Sequence, residues 1–367
     1  MLRRLYVHNY RTLVDFEWEP PPVCALVGDN GSGKSAIFEV LCLLVDVVAA
    51  GKRYEETGFP ATVTAWALEK TQRIELELEI GGERYRYFVG YRLDGRRGTI
   101  EETLSAGGEL LYRAQEGRVE LFGDPTGATT RTTIPFDRRR SFLAVIEPRP
   151  DNQRIIAFRS ALAAMSLIKP DPLRLGGPAG EEVAAPDRDL SNFASWYRLG
   201  VQQEPEATLR LREDLRAVLP GFVQLRLEAL SPEVKDLKVR FEFDGRTHEL
   251  SWSKLSDGQR LLVALYGALR LGLERASLIA LDEIENYVAP AEIQPWLRAV
   301  VDLTAERGGQ LIVISHHPES VDYLAADAVW RMSLGANGAS RIVRLEPDRD
   351  AGERAYDLVR ERQNDDD

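Results

Sequence analysis

Residues Leu2 to His8 alternate apolar and polar side chains with a period of two, and so do residues 13–18. That pattern predicts a strand and its hairpin partner around Asn9-Tyr10-Arg11-Thr12. Pro20-Pro21-Pro22 ends the pairing, because proline offers no N–H to a ladder. Residues 23–27 (Val-Cys-Ala-Leu-Val) form a continuous apolar run, the signature of a buried strand, and 35–49 read as a mostly apolar helix. Segments 62–68, 73–80, 83–93, 99–105, 110–115 and 118–122 read as strands. Gly81-Gly82, Asp94-Gly95, Gly107-Gly108 and Glu116-Gly117 supply the turns, so an antiparallel meander of six strands is expected between 62 and 123. Residues 152–168 resemble one amphipathic helix. Residues 170–187 mix Pro, Gly and acids without periodicity and predict a mobile linker. Helices are expected at 190–199 and 205–218, and strands at 223–230, 237–243 and 248–252. No internal repeat or sustained heptad is present, which excludes long coiled-coil arms.

Composition narrows the class without naming it. The 367 residues are 44% hydrophobic and 29% charged, an ordinary globular balance. The longest apolar stretch, the helix at 35–49, carries Glu39 and Asp46 and is too short to span a bilayer, so no membrane partner is expected. The first residues lack the apolar region of a signal peptide, and Cys24 and Cys42 fall on elements that should be buried, as reduced thiols usually are. These features predict a cytoplasmic protein. A formal net charge of −11 argues against a dedicated nonspecific DNA-binding protein, whose affinity rests on neutralising phosphates. Arg138-Arg139-Arg140 and Arg96-Arg97 are the notable basic clusters, either solvated loops or nucleic-acid contacts.

The chemistry-bearing stretch is Gly28-Asp29-Asn30-Gly31-Ser32-Gly33-Lys34-Ser35, which fits the phosphate-binding P-loop and lies between the predicted strand and helix. Glycines let successive N–H groups turn inward around an anion, and the helix start adds its positive dipole end. Asn30, Gly31, Ser32, Gly33, Lys34, Ser35 and Ala36 are therefore candidate nucleotide-binding residues. Lys34 reaches the β- and γ-phosphates, and Ser35 places its hydroxyl on Mg²⁺. Two later strands end in polar residues. Leu278-Ile279-Ala280-Leu281-Asp282-Glu283 has the arrangement in which Asp282 holds Mg²⁺ and Glu283 orients or deprotonates the attacking water. After Gln310-Leu311-Ile312-Val313-Ile314 come Ser315-His316-His317-Pro318-Glu319, where His316 is placed to donate to a γ-phosphate oxygen. Leu255-Ser256-Asp257-Gly258-Gln259-Arg260 opens a helix, with Ser256 or Asp257 as its cap.

Taken together, this order of motifs resembles the ABC-type ATPases, and most closely their SMC-like and RecF-like branch, including the ATPase part of overcoming-lysogenization-defect proteins. Asn9-Tyr10-Arg11-Thr12-Leu13 resembles the N-terminal signature of that branch, Asp282-Glu283-Ile284-Glu285-Asn286 its Asp-Glu-Pro-Glu-Asn, and residues 315–319 its Ser-His-His-Pro-Glu. The resemblance implies an α/β P-loop NTPase fold of ABC type, with the meander as an insert beside a helical lobe. It implies a head-to-tail homodimer with two ATPs at the interface, each between one P-loop and the partner's signature residues Ser256, Gly258 and Gln259. It also implies that Arg11 lies near the nucleotide and that residues 286–289 cross the interface. Ile284 replaces the usual Pro, and Ala289 stands where relatives often have His. Gln72 and Gln153 are both open as the Q-loop glutamine.

The expected organisation is an N-terminal core part (1–61), a β-insert (62–123), a helical lobe (124–222, with linker 170–187), a C-terminal core part (223–345) and a charged tail (346–367). The expected activity is Mg²⁺-dependent ATP hydrolysis coupled to dimerisation, acting on DNA in repair or genome maintenance. The alternatives are the ATPase subunit of an anti-phage defence system regulating a separate nuclease, or an ATP-dependent assembly switch.

Overall fold

The computed structural model describes residues 1–94, 97–123, 132–316, 324 and 329–345. The chain divides into two compact units, one made of 1–165 and 327–367 and the other of 166–326.

The first unit is built on an eight-stranded antiparallel sheet. Its order is Phe16–Trp18, Leu2–His8, Thr71–Ile80, Glu83–Asp94, Arg97–Ala106, Glu109–Gln115, Arg118–Leu121 and Thr132–Pro135. The period-two pattern explains its buried face. Leu5, Leu76, Tyr87, Leu104 and Tyr112 stand opposite one another across five strands, and all are fully buried. The meander continues the N-terminal hairpin through the pairing of Thr71–Ile80 with Leu2–His8, and a further strand, Thr132–Pro135, lies beyond residue 123. Residues 62–68 do not form a strand. They meet the hairpin through an isolated bridge between Tyr10 and Val63 and hydrogen bonds to Asn9 and Arg11, and Trp66 and Leu68 are exposed. The same unit holds a smaller group in which Val23–Gly28 runs parallel to Val329–Leu334, which pairs antiparallel with Ser340–Leu345.

Among the described residues of this sheet, the carboxyls of Glu77 and Glu102 are buried. Glu102 shares a face with Leu104 and accepts hydrogen bonds from Tyr87 (2.7 Å), Tyr112 (2.8 Å) and Ser141 (2.5 Å). Burial raises its pKa, and the hydroxyl donors offset this in part. The native state therefore holds this proton more tightly than the unfolded chain does. The stability it contributes is complete below the unfolded carboxylate range and is lost as pH rises through the raised native value. Glu102→Gln cannot ionise, so its melting temperature should gain on the unaltered protein by a few degrees between about pH 5 and about pH 8. Thermal melts that show the same gap across that range would remove this account of the cluster.

In the second unit, Leu278–Asp282 and Gln310–Ile314 are parallel neighbours joined through the helix Pro290–Arg307. All ten strand residues are buried, as their unbroken apolar runs require. The helices Phe193–Gln203, Pro205–Val218 and Asp257–Leu271 pack together, and an antiparallel set of Phe222–Ala229, Lys235–Phe243 and Arg246–Ser251 adjoins them in sequence. The expected helix at 152–168 is instead the helix Gln153–Ala163 followed by the strand Met165–Ile168. A continuous apolar run hides such a change of element, since period alone does not separate a buried strand from a buried helix end. Segment 170–187, expected to be a mobile linker, is irregular but packed. Leu175 and Ala179 are buried, Trp252 donates its indole N–H to the Leu175 carbonyl (2.8 Å), and Pro178–Ala179 pairs with Lys235 and Asp236.

Candidate functional site

In the first unit the strand Val23–Gly28 feeds the P-loop and the helix Lys34–Leu44 leaves it. Gly28, Gly31 and Gly33 have φ of 145°, 83° and 103°, which only glycine adopts without strain. Space is also short: a Cβ on Gly28 would meet the Met332 carbonyl oxygen at 2.1 Å, and one on Gly33 would meet Ser340 Oγ at 2.3 Å and Thr12 Oγ1 at 2.9 Å. The first helical turn has no side-chain cap, and a helix start of this kind is a natural seat for an anion. Lys34 is buried, and its ammonium donates to the carbonyls of Gly28 (2.6 Å) and Asp29 (2.9 Å) across the loop. Ser32 Oγ is buried without a protein partner, a polar atom that a phosphate oxygen satisfies. Asn30 and Gly31 are exposed at the tip, Ala36 is buried beneath it and Ser35 is half-buried. Arg11 is half exposed and its Nε lies 2.5 Å from Glu39 Oε2.

The second unit gathers the acids. Asp282 ends the strand Leu278–Asp282 fully buried, and Glu283 follows with φ of 55°, turning its carboxyl out of the strand line. His316 Nε2 lies 2.5 Å from Glu283 Oε1. Burial works to raise the Glu283 carboxyl, but the bond with His316 and the charge of Lys169 outweigh it and hold the acid below its ordinary range. It is thus ionised at neutral pH, the state in which it orients water or accepts a proton. Glu285, also buried, accepts from Ser315 Oγ (2.5 Å) and from the His316 N–H (3.3 Å), fixing the strand end that carries the histidine. Asn286 Nδ2 reaches Glu283 Oε2 at 3.5 Å.

Lys169 was not legible as a site residue. Its Nζ lies 2.7 Å from Asp282 Oδ2 and 3.6 Å from Glu283 Oε2. Burial lowers its pKa, but these two acids overcome the effect and raise it. The one hint in the sequence is a lysine closing a short apolar strand immediately before Pro170.

Ser256 caps the helix Asp257–Leu271: its Oγ accepts from the Gln259 N–H (3.2 Å), while the Gln259 side chain accepts from the Ser256 N–H (3.0 Å). The amide of Gln259 is therefore engaged in the cap, and the Ser256 O–H keeps its donor. Gly258 sits against the turn after the acids, where an added Cβ would lie 2.7 Å from the Tyr287 carbonyl oxygen. Tyr287 itself is exposed, with φ of 78°. Ile284, in place of the usual Pro, is fully buried, and Ala289 caps the helix Pro290–Arg307. Of the two Q-loop candidates, Gln72 is buried and donates to the Asn9 carbonyl (3.0 Å), whereas Gln153 is exposed and bonds Arg149. His317, Pro318, Glu319, Arg96 and the tail 346–367 lie outside the described residues. Arg139 of the basic run is paired with Asp137 (3.1 Å).

Among the described residues, no group of three or more His, Cys, Asp or Glu forms a metal cluster, and no helix is long and apolar enough to cross a membrane. Mg²⁺ in P-loop proteins needs no such cluster, since one or two carboxylates suffice alongside substrate phosphates. The fully buried Asp282, already matched to a cationic ammonium, fits that donor role.

These features define a P-loop ATPase of the ABC type with an SMC-head-like, mixed α/β fold. The chain belongs to the family described as "AAA domain, putative AbiEii toxin, Type IV TA system", whose model matches residues 23–322. Among solved structures it resembles an Smc head bound to the C-terminal winged-helix domain of ScpA, at 16% identity and a TM-score of 0.59, covering 96% of this chain and 99% of that one. It also resembles the Smc head with an extended coiled coil from Pyrococcus furiosus, bound to the C-terminal domain of ScpA. That match is at 13% identity and a TM-score of 0.50, covering 94% of this chain and 96% of the other. No match was found among curated proteins.

Proposed function

We propose that this protein binds ATP on Gly28–Ser35, hydrolyses it with Glu283 as the water-orienting base and His316 as the γ-phosphate donor, and pairs head to tail while ATP is bound. The carrying observation is the Glu283 carboxyl at the end of a buried strand, 2.5 Å from His316 Nε2 and 3.6 Å from Lys169 Nζ. Ser35 and Asp282 are the residues that would hold Mg²⁺, which would supply charge neutralisation to the phosphates. Lys169 neutralises the two acids. Arg11 lies close to the nucleotide, and Ser256, Gly258 and Gln259 complete the anion cage of the partner subunit.

The output passes to another molecule. The solved Smc heads are bound to ScpA, and a separate protein partner of comparable kind fits a chain whose recognised motifs are all ATPase motifs. The setting is the cytoplasm, where Cys24 and Cys42 stay reduced; burial pushes the Cys24 thiol well up. The pathway is repair or maintenance of DNA, with Arg138, Arg139 and Arg140 as the DNA contact. The family's toxin–antitoxin description supports the alternative, a defence ATPase controlling a separate nuclease.

The binding test uses Lys34→Ala. Titration with a fluorescent ATP analogue should show affinity at least about tenfold weaker, the loss of one charge-assisted phosphate contact. Equal affinity in the two proteins would overturn the assignment.

A further inference from the structure

We propose that a small pocket beside the eight-stranded sheet seats the terminal phosphate of a nucleic-acid strand, an inference that rests on the DNA reading above and narrows it to strand ends. The pocket lies among the strands Arg97–Ala106, Glu109–Gln115 and Arg118–Leu121 and the loop 136–141. Arg118, Arg138 and Arg140 line it together with Tyr54, Glu102 and Asp137. Its volume is about 20 Å³, room for one water-sized group.

Tyr54 marks the inner end. Its side chain is 1% exposed, yet its hydroxyl has no hydrogen-bond partner. Buried hydroxyls are almost always paired, so this one is a donor kept for an atom from outside the chain. Burial pushes its pKa well up, which keeps the proton on the oxygen. At the outer end Arg118 and Arg138 are exposed and Arg140 is half-buried, and none of the three has a carboxylate partner among the described residues. Neither acid in the lining presents a bare charge. Asp137 is matched by both Nε and Nη2 of Arg139 (3.1 Å each), and the oxygens of Glu102 accept from Tyr87, Tyr112 and Ser141. The loop is fixed at both ends and in its middle. The Phe136 N–H donates to the Gly117 carbonyl (2.9 Å), the Tyr54 N–H to the Arg139 carbonyl (3.0 Å) and the Ser141 hydroxyl to Glu102 (2.5 Å). All of these residues belong to one unit.

The chemistry selects a strand end. A phosphate monoester carries close to two negative charges at neutral pH and three free oxygens. One oxygen enters the cavity and accepts from Tyr54, while the other two meet the arginines, whose planar forks suit phosphate. A phosphodiester inside a strand has one charge, two free oxygens and chain leaving on both sides, so it cannot fill all of these positions at once.

The test measures binding of the full chain, with a non-hydrolysable ATP analogue present, to two blunt DNA duplexes of one sequence, carrying phosphate on all four strand ends or on none. The phosphorylated duplex should bind at least about tenfold tighter, the reach of one or two charge-assisted contacts. Tyr54→Phe deletes one oxygen and no hydrogen bond of that hydroxyl within the chain. It should remove most of the advantage and leave the unphosphorylated duplex within about twofold. Arg118→Gln, at an exposed position, should also reduce the advantage, which separates the result from any change in packing at residue 54. Equal binding of the two duplexes by the unaltered protein, or an advantage that survives either substitution, would overturn the pocket and spare the DNA reading. Binding of neither duplex would overturn both.

Discussion

Glu283→Gln should bind ATP with undiminished affinity and turn it over at least about a hundredfold more slowly, the usual reach of a lost general base. Glutamine is nearly the same shape and can meet both His316 and Lys169, which lie 2.5 Å and 3.6 Å from the carboxyl. The fold and binding are therefore spared while the negative charge that activates water is removed. The φ of 55° at this position is a second reason to choose glutamine, because a β-branched residue would add backbone strain to the chemical loss. Steady-state phosphate release together with nucleotide binding checks both halves of the statement. Turnover equal to that of the unaltered protein would assign the base elsewhere.

The second large effect concerns assembly. With hydrolysis blocked by Glu283→Gln, ATP should convert the protein to a dimer, or to an assembly of dimers, in light scattering. Adding Ser256→Arg should abolish the conversion. Ser256 heads the helix Asp257–Leu271 and presents a hydroxyl and first-turn N–H groups, a natural seat for an anion. Arginine would remove the cap and fill that seat with its own long cation. The neighbouring surface supports the choice: Gly258 leaves room for the Tyr287 carbonyl, and Tyr287 stands exposed. Dimerisation of the double variant to the same extent would show that this helix does not face the nucleotide of a partner.

The features legible in the sequence were those whose residue types have few substitutes. Gly28, Gly31 and Gly33 announce the P-loop because no other residue takes their backbone angles beside Met332 and Ser340. The strand Leu278–Asp282 and the meander likewise follow from apolar runs and period-two alternation. Local pattern failed where long-range pairing decides. Residues 62–68 alternate like a strand, yet their backbone groups are taken by Asn9 and Arg11. Met165–Ile168 continues the apolarity of a helix but is a strand. Lys169 finds Asp282 more than a hundred residues away, and nothing near either residue announces the meeting. The packing of 170–187 was hidden for the same reason, since Trp252 supplies its anchor.

The first unit has a consequence for synthesis at the ribosome. The strand leading into the P-loop, Val23–Gly28, takes Val329–Met332 as a neighbour, and Gly28 is shaped around the carbonyl of Met332. On the order of 300 residues must be made between those two partners. At about 5–20 residues per second, that is on the order of 15–60 s during which a nascent chain displays the phosphate loop with one flank missing. Thr12, Gly33 and Ser340 can therefore come together only after the C-terminal strands have been made.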